Sequence, residues 1–118
     1  MTDATSEDCL FCKMVARDIE PDVVHETDTT LAFRDIDPQA PTHVLVIPKV
    51  HQPNFAALAR HEPAVAVDLV NAVRAVAEQE GLHENYRLVF NTGPDAHQSV
   101  FHVHGHVLGG RPMGWPPG

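Results

Sequence analysis

Apolar and polar residues recur along the chain in patterns that predict two helices. Apolar residues at helical spacing within residues 9–18 predict a short helix that ends before Pro21, with Ser6 or Asp8 as its cap. A second apolar stripe begins at Pro63 and continues to about Gly81 without an internal glycine or proline. Its apolar surface is wider than one stripe, which indicates contact with a sheet and with a further surface, such as a dimer partner.

Short runs rich in β-branched and aromatic residues predict about five strands. They cover residues 23–26, 30–34, 43–47, 87–91 and 100–108. The first two runs are separated by three polar residues, which is typical of a hairpin. The third is continuously apolar and stops at Pro48, which favours a central strand, and a turn-rich loop covers 92–99. This order of elements favours an α+β fold with a mainly antiparallel sheet.

The length and charge of the chain limit its class. Its 118 residues suit one domain, and we expect a flexible segment at 1–8 followed by a single domain at 9–118. Sixteen acidic against eight basic residues give a net charge of −8, and no basic run is present, so nucleic acid is not an expected partner. The N-terminal residues are polar and acidic, and no apolar stretch approaches membrane-spanning length, so we expect a cytoplasmic protein without membrane contact.

Three histidines separated by single residues, His102, His104 and His106, are the most informative chemistry in the sequence. On a strand they would share one face and place the outer two rings about 13 Å apart, too far for one small metal ion to bind all three. Imidazoles near neutral pH act as nucleophiles and as proton carriers, so the row indicates stepwise group transfer. A surface histidine run is the alternative, and the apolar residues that alternate with the histidines disfavour it.

The only two cysteines, Cys9 and Cys12, are separated by two residues. This spacing is too short for the structural disulfide of a secreted fold, so metal binding or redox chemistry are the functional alternatives, and buried thiols are the third. Zinc binds two thiolates and two imidazoles in a tetrahedron. His51 and His102 are the histidines that would complete such a site, and the metal would brace the fold.

The segment His102–Leu108 matches the motif His-x-His-x-His followed by two apolar residues. Further matches lie in residues 33–49, at Asn91, at 98–100, and in the ending Gly109–Gly118. Together these residues resemble the histidine triad (HIT) family, in its nucleotide-binding, protein kinase C-interacting-like branch, over nearly all of 9–118. The resemblance implies a HIT-like fold whose sheet extends across a homodimer, with the long helices and C-terminal segments at the interface.

The resemblance also implies a purine nucleoside phosphoramidase. Such an enzyme cleaves the P–N bond of adenosine 5′-phosphoramidates to AMP and an amine through a nucleotidyl-histidine intermediate, without an organic cofactor. Two alternatives stay open. One is a dinucleoside polyphosphate hydrolase or nucleotidyltransferase of another branch, and the other is a nucleotide-binding interaction module whose hydrolysis is incidental. Some branches of the family carry zinc with the first histidine of the motif as a ligand, which agrees with Cys9, Cys12, His51 and His102.

By resemblance, four residues are catalytic. His104 is the nucleophile, and His106 contacts the phosphate and supplies a proton or stabilises charge as the bond breaks. His43 would orient His104 through a hydrogen bond, with a satisfied buried histidine as the alternative. Ser99 would offer a hydroxyl to the phosphate or the leaving group, although polar residues at such positions also stabilise turns.

The implied nucleotide-binding residues combine strand and loop positions. Asp35 would accept from the ribose hydroxyls, Phe33 and Ile36 would flank the base, and Asn91 would hold ribose or phosphate. The full set is Phe33, Asp35, Ile36, Asn91, Gln98, Ser99, His104 and His106. Turn formation is the alternative for Asp35, Asn91 and Gln98, and core packing for the apolar pair.

Two positions depart from the family pattern. Gly105 stands where the family usually has an apolar residue, and Ala96-His97 replaces a small pair before Gln98. These departures bear on the choice of leaving group. His97 either reaches the site or is a solvated loop histidine.

Overall fold

A computed structural model describes residues 8–118 as a five-stranded antiparallel sheet with three helices. The elements are α1 Leu10–Val15, β1 Val23–Glu26, β2 Thr30–Arg34, β3 Thr42–Pro48, α2 Phe55–His61, α3 Pro63–Gln79, β4 Arg87–Phe90 and β5 Gly105–Gly109. The strand order is β1-β2-β3-β5-β4, and every neighbouring pair is antiparallel. The predicted α+β class and the five strands are therefore confirmed. The prediction for 1–8 falls outside the described residues except at Asp8.

β3 is the central strand, as its continuous apolar run predicts. It pairs with β2 on one side and β5 on the other, and every residue after Thr42 is buried. Side chains of a strand alternate between the two faces. Val44 and Val46 therefore join the core beneath α2 and α3, whereas Leu45 and Ile47 join a second core.

The second core contains Phe11 of α1 and Cys9, together with Leu31 and Phe33 of β2. His106 of β5 pairs with Leu45, so it lies on the same sheet face as this core. His43 also lies on that face, because it is two residues from Leu45. The face that carries the histidine chemistry is thus the one covered by the short helix α1, and α3 covers the opposite face.

The number of helices is a correction, because the sequence predicted two and the structure has three. The missed helix, α2, spans only seven residues and is followed closely by the proline that begins α3. Such a short segment has too few turns for a clear apolar period. Asn54 was the available signal: its side chain accepts a hydrogen bond from the amide of Ala57 at 2.9 Å and so caps the helix.

The cap of α1 is a second correction. Cys9 is the N-cap, and its Sγ accepts from the amide of Cys12 at 3.2 Å, so Asp8 does not fill this role. Ser6, the other predicted cap, lies outside the described residues. Cys9 therefore begins the helix and, through this hydrogen bond, also holds the backbone of Cys12 close to its own sulfur atom.

The last strand begins later than predicted, which is a third correction. Residues 100–104 are not part of the sheet, and β5 starts at Gly105. The amide of Val103 instead donates to the carbonyl of Gln52 at 2.8 Å. Gly105 lies against Phe90, whose ring atoms are 2.9 Å from the place where a Cβ would stand. The absence of a side chain lets β5 approach β4 closely at this point.

None of the helices within residues 8–118 is both long and apolar enough to cross a bilayer.

Candidate functional site

The three histidines of the motif divide between two clusters. His102 and His104 precede β5 and only His106 lies on it, so the prediction of three rings along one strand face is wrong. The ring centroids of His104 and His106 are 5.0 Å apart. Phe11 contacts His104 edge-on, with ring centroids 5.0 Å apart, and also contacts His102 at 6.0 Å. The row is thereby packed beneath α1.

His104 is held in one tautomer by the backbone. Its Nδ1 lies 2.8 Å from the carbonyl oxygen of His102, and a carbonyl can only accept, so Nδ1 carries the proton. Nε2 is then left with a free lone pair. Burial lowers the pKa of His104, and the backbone hydrogen bond and the charge of Asp35 oppose that effect. His104 is therefore a neutral, buried imidazole with one nucleophilic nitrogen, although its role as the nucleophile stays a prediction.

His43 determines which ring nitrogen of His106 carries the proton. The amide of Gln39 donates to Nδ1 of His43 at 3.0 Å, so the proton of neutral His43 is on Nε2. That Nε2 lies 2.9 Å from Nδ1 of His106 and donates to it. Nε2 of His106 consequently carries a proton, and it is buried without a hydrogen-bond partner among residues 8–118. His43 thus contacts His106, and the prediction that it orients His104 is wrong.

The environment of His106 keeps it neutral in the free protein. Burial lowers its pKa to about 4, and the nearby rings of His104 and His43 add to the effect, while Asp35 opposes it. Burial also lowers the pKa of His43. The pair therefore offers a neutral N–H at Nε2 of His106, at the end of a chain of hydrogen bonds that starts at the backbone amide of Gln39.

Asp35 forms the turn contact and also faces the histidines, while its contact with ribose stays a prediction. One carboxylate oxygen, Oδ1, accepts from the amide of Asp37 at 2.8 Å, which is the turn role. The other, Oδ2, lies 3.5 Å from Nε2 of His43 and faces the histidines. A half-buried carboxylate with one oxygen turned toward the site agrees with the predicted contact to ribose.

The two residues expected to flank a base differ in environment. Phe33 is 3% exposed and packs edge-on against Phe11 at 5.5 Å, which is the core alternative, whereas Ile36 is 99% exposed. Asn91 is half-buried and Ser99 is exposed. Within the described part of the chain, the side chains of Asn91 and Ser99 form no hydrogen bond, so both are available to a ligand. Their roles stay predictions.

The side chain of Gln98 is occupied by its own loop. Nε2 donates to the carbonyls of Pro53 at 2.6 Å and Val100 at 3.0 Å, and Oε1 accepts from the amide of Gly93 at 2.9 Å. These contacts agree with the turn-stabilising alternative. Contact of Gln98 with a phosphate stays a prediction.

The other cluster joins the two cysteines with two histidines. The sulfur atoms of Cys9 and Cys12 and the Nδ1 atoms of His51 and His102 all lie within 4.8 Å of one another. Nδ1 of His102 is 3.3 Å from Sγ of Cys9 and 3.1 Å from Nδ1 of His51, and Sγ of Cys12 is 3.4 Å from Nδ1 of His51. Ligand atoms around a tetrahedral zinc ion stand about 3.3–3.8 Å apart. All four predicted metal ligands are thus brought together.

The protonation of this cluster also suits a metal ion. Nε2 of His102 donates to the carbonyl of Pro48 at 2.8 Å, so its Nδ1 presents a lone pair to the cysteines. Both cysteines are free thiols. Burial, together with Cys9, raises the pKa of Cys12 to about 12, so the protein alone does not stabilise a thiolate there, whereas a divalent cation would. The donor set therefore fits a metal.

Two contributors to the site escaped the sequence analysis. Gln39 acts through its backbone amide, which no side-chain pattern reveals. Phe11 forms the wall behind the row, and its apolar character predicted only that it faces the core of the protein.

Comparison with known proteins identifies one family model, two relatives and one solved structure that are similar to this chain. The family model described as the HIT domain matches residues 16–113. The chain is 44% identical to the purine nucleoside phosphoramidase of Escherichia coli (strain K12) and 48% identical to the 14 kDa zinc-binding protein of Zea mays. The first match covers 92% of both chains, and the second covers 92% of this chain and 87% of the relative. A crystal structure of a HIT family hydrolase from Legionella pneumophila Philadelphia 1 superimposes with a TM-score of 0.88 at 46% identity, covering 93% of this chain and 99% of that one.

Proposed function

We propose, from the premise that this chain belongs to the HIT family, that it is a nucleotide hydrolase and, more narrowly, a purine nucleoside phosphoramidase. It would cleave adenosine 5′-phosphoramidates to AMP and an amine in the cytoplasm. The observation that carries the proposal is the hydrogen bond from Nδ1 of His104 to the carbonyl of His102 at 2.8 Å, which leaves Nε2 bare. The phosphoramidase of Escherichia coli, 44% identical to this chain, supports the choice of substrate.

In the first step, Nε2 of His104 attacks the phosphorus and forms a P–N bond to the nucleotide. The bond between phosphorus and the amine breaks, and its electron pair leaves with the amine nitrogen. The bound phosphoryl anion raises the proton affinity of the His43–His106 pair, which takes up one proton from the solvent, to be returned to it in the second step. Nε2 of His106 then delivers a proton to the departing amine, and the pair returns to its neutral state.

In the second step, water attacks the nucleotidyl-histidine. A proton of the water passes to the His43–His106 pair, and the oxygen forms the new P–O bond while the bond to Nε2 of His104 breaks. AMP leaves, His104 regains its lone pair, and the pair releases its proton to solvent. Over both steps, one water is consumed and AMP and one amine are formed.

The residues around the row supply the binding of the nucleotide. Oδ2 of Asp35 faces the site and would accept from the ribose hydroxyls. Ile36 is exposed at the same turn and would cover one face of the base. Asn91 and Ser99 bring side chains that are free of hydrogen bonds within residues 8–118, and they would contact ribose and phosphate.

The decisive experiment measures AMP release from adenosine 5′-phosphoramidate by purified wild type and His104→Ala. The matched control is His61→Ala, which removes an exposed histidine at the end of α2. We expect the His104→Ala variant to lose at least about a thousandfold in kcat/KM, because it lacks the bare Nε2 that attacks the phosphorus, and the control to match wild type. A wild type that binds AMP but releases none from the substrate would overturn the proposal and favour a binding module.

Two further features belong to the proposal. The first is a zinc ion held by Cys9, Cys12, His51 and His102, which would tie α1 to the segment before β5 and stabilise the fold. The geometry of these four residues and the zinc-binding relative from Zea mays support it.

The second feature is a homodimer whose sheets join at β4. β4 pairs only with β5 among the described strands, so one of its edges is open, and on α3 the side chains of Val67 and Val70 are 61% and 47% exposed. Sedimentation should show a dimer for wild type and a shift toward monomer for Val67→Asp. A monomeric wild type would refute this part.

A further inference from the structure

Arg111, in the segment that follows β5, contacts the loop between β2 and β3. Gly110 precedes it with a left-handed backbone, φ of 91°, and a Cβ on Gly110 would stand only 2.9 Å from Cβ of Pro41. The chain therefore turns tightly against the end of that loop, which a residue with a side chain could not do without strain. After this turn the guanidinium of Arg111 lies beside Gln39, and its Nη2 donates to the carbonyl of Gln39 at 3.0 Å.

The loop depends on hydrogen bonds of this kind to keep its shape near Gln39. Residues 36–39 are all exposed, so apolar burial does not fix their backbone. The side chain of Gln39 donates to the carbonyl of Asp37 at 2.9 Å, which is a contact inside the loop. Arg111 instead ties Gln39 to the segment after β5, and β5 is the strand that carries His106. Gln39 is thus anchored to a neighbouring element of the sheet.

A series of hydrogen bonds continues from Gln39 to the site. The amide of Gln39 donates to Nδ1 of His43 at 3.0 Å, and Nε2 of His43 lies 2.9 Å from Nδ1 of His106. Nε2 of His106 then carries a proton, and it is buried without a hydrogen-bond partner in the described part of the chain. If Gln39 moved away from Nδ1 of His43, this ring could carry its proton there. His106 would then lose the donor that fixes its own proton on Nε2.

We propose that Arg111 is a positioning residue for the transfer of a proton to the leaving amine. It holds the carbonyl of Gln39, so that the amide of Gln39 stays bound to Nδ1 of His43 and a proton stays on Nε2 of His106. This inference rests on the proposed phosphoramidase function. A guanidinium suits the task because its charge strengthens the hydrogen bond to a carbonyl and is retained throughout the physiological pH range.

The test compares two substrates that differ in their need for a proton. The amine of adenosine 5′-phosphoramidate needs a proton to leave, whereas the para-nitrophenyl ester of AMP releases a stable para-nitrophenolate anion. The measured quantity is kcat/KM, which includes the steps up to the departure of the leaving group and omits the later attack of water. The variant is Arg111→Gln. The matched control is Arg87→Gln, because Arg87 also donates to a carbonyl of the C-terminal segment, that of Gly114, at 2.8 Å.

We expect Arg111→Gln to lower kcat/KM roughly three- to fivefold for the phosphoramidate, the size of one exposed hydrogen bond, and to leave the ester unchanged. Arg87→Gln should match wild type on both substrates. Equal losses of Arg111→Gln on both substrates would overturn the inference, because Arg111 would then support binding or folding in general. The same loss in Arg87→Gln would also overturn it, because the order of the whole C-terminal segment would then be the cause.

A second measurement does not depend on activity. Nitrogen NMR of protein with isotope-labelled histidine distinguishes a protonated ring nitrogen from a bare one. We expect the proton of His43 on Nε2 in wild type and in Arg87→Gln, and partly on Nδ1 in Arg111→Gln. An unchanged His43 in Arg111→Gln overturns the inference, even where the rate falls. A wild type that releases AMP from neither substrate, with His43 as expected, overturns the phosphoramidase proposal instead.

Discussion

Two clusters of this protein each bring together histidine nitrogens and other possible metal ligands, yet they differ in the position of their protons. Cys9, Cys12, His51 and His102 form one, and Asp35, His43 and His106 form the other, each with ligand atoms within 4.8 Å. In the first, His102 donates outward to the carbonyl of Pro48, so a lone pair points inward.

In the second cluster, His43 accepts from the amide of Gln39 on its outer nitrogen, so an N–H points inward. A metal ion needs lone pairs, whereas a proton relay needs an N–H that faces an acceptor. The backbone group that faces the outer nitrogen of each ring therefore determines whether the cluster suits a metal ion or a proton relay.

The largest expected effect is the loss of zinc and of stability when a ligand of the first cluster is removed by Cys12→Ser. Zinc content should fall from about one ion per chain to near zero, because three remaining ligands do not close a tetrahedral site. The free energy of unfolding should fall by about 4 kcal/mol, the contribution of a ligand present at a thousand times its dissociation constant. Elemental analysis and chemical unfolding measure both. His43→Ala is the control and should retain zinc, whereas equal zinc in wild type and Cys12→Ser would refute the assignment.

The next effect comes from breaking the second cluster with His43→Ala. We expect kcat/KM for adenosine 5′-phosphoramidate to fall about a hundredfold, equivalent to about 2.7 kcal/mol, because His106 loses the donor that fixes its proton on Nε2. His43→Gln carries an N–H at a similar distance from the backbone and should recover part of the rate. Equal rates in the two variants would mean that His43 only fills space.

A pH series on stability examines the second cluster without substrate. The pKa of His106 is about 4 in the folded protein, below the ordinary value of about 6.5 that the unfolded chain retains. Below pH 6.5 the unfolded chain therefore binds a proton at His106, whereas the folded protein does not until about pH 4. The free energy of unfolding falls over this range.

We expect His106 to account for about 1–2 kcal/mol of this loss, allowing for its partial exposure. Chemical unfolding between pH 7 and pH 4 should show a shallower decline for His106→Asn than for wild type. Parallel curves would contradict the assigned burial effect.

The smallest expected effect is that of a substitution that tests which nitrogen of His43 carries the proton. Gln39→Pro removes the amide that donates to Nδ1, so His43 becomes free to carry its proton there and to present a lone pair inward. We expect a loss of activity of roughly tenfold, the size of one hydrogen bond, and new inhibition by added zinc. Gln39→Ala keeps the amide and should behave as wild type. A variant that zinc does not inhibit would show that the amide does not separate the two clusters.

The sequence predicted those parts of the fold and site whose signal is local. The apolar runs at β2 and β3 and the stripe of α3 follow directly from side-chain periodicity. The Cys9-x-x-Cys12 spacing and the alternating histidines predicted a metal cluster and a group-transfer row, because these spacings limit what the side chains can do. α2 was missed because a helix of seven residues has too few turns to show an apolar periodicity.

The partner of His43 and the split of the three histidines could not be predicted from the chain alone. Alternation of residues predicts one face only if the backbone is a strand, and the bond from Val103 to Gln52 takes residues 102–104 out of the sheet. His102 then turns to the cysteines and His106 to His43. The contacts that divide the three histidines are thus formed with residues distant in sequence.

The sequence by itself determined which chemical groups this protein possesses: two thiols, a row of imidazoles and a carboxylate after a buried strand. Tertiary structure alone decided what each imidazole can do, because a ring nitrogen is a donor or an acceptor according to the group that faces the other nitrogen. For His102, His104 and His43 that group is a backbone carbonyl or amide. Every residue carries the same backbone groups, so only the fold can specify which of them meets which ring.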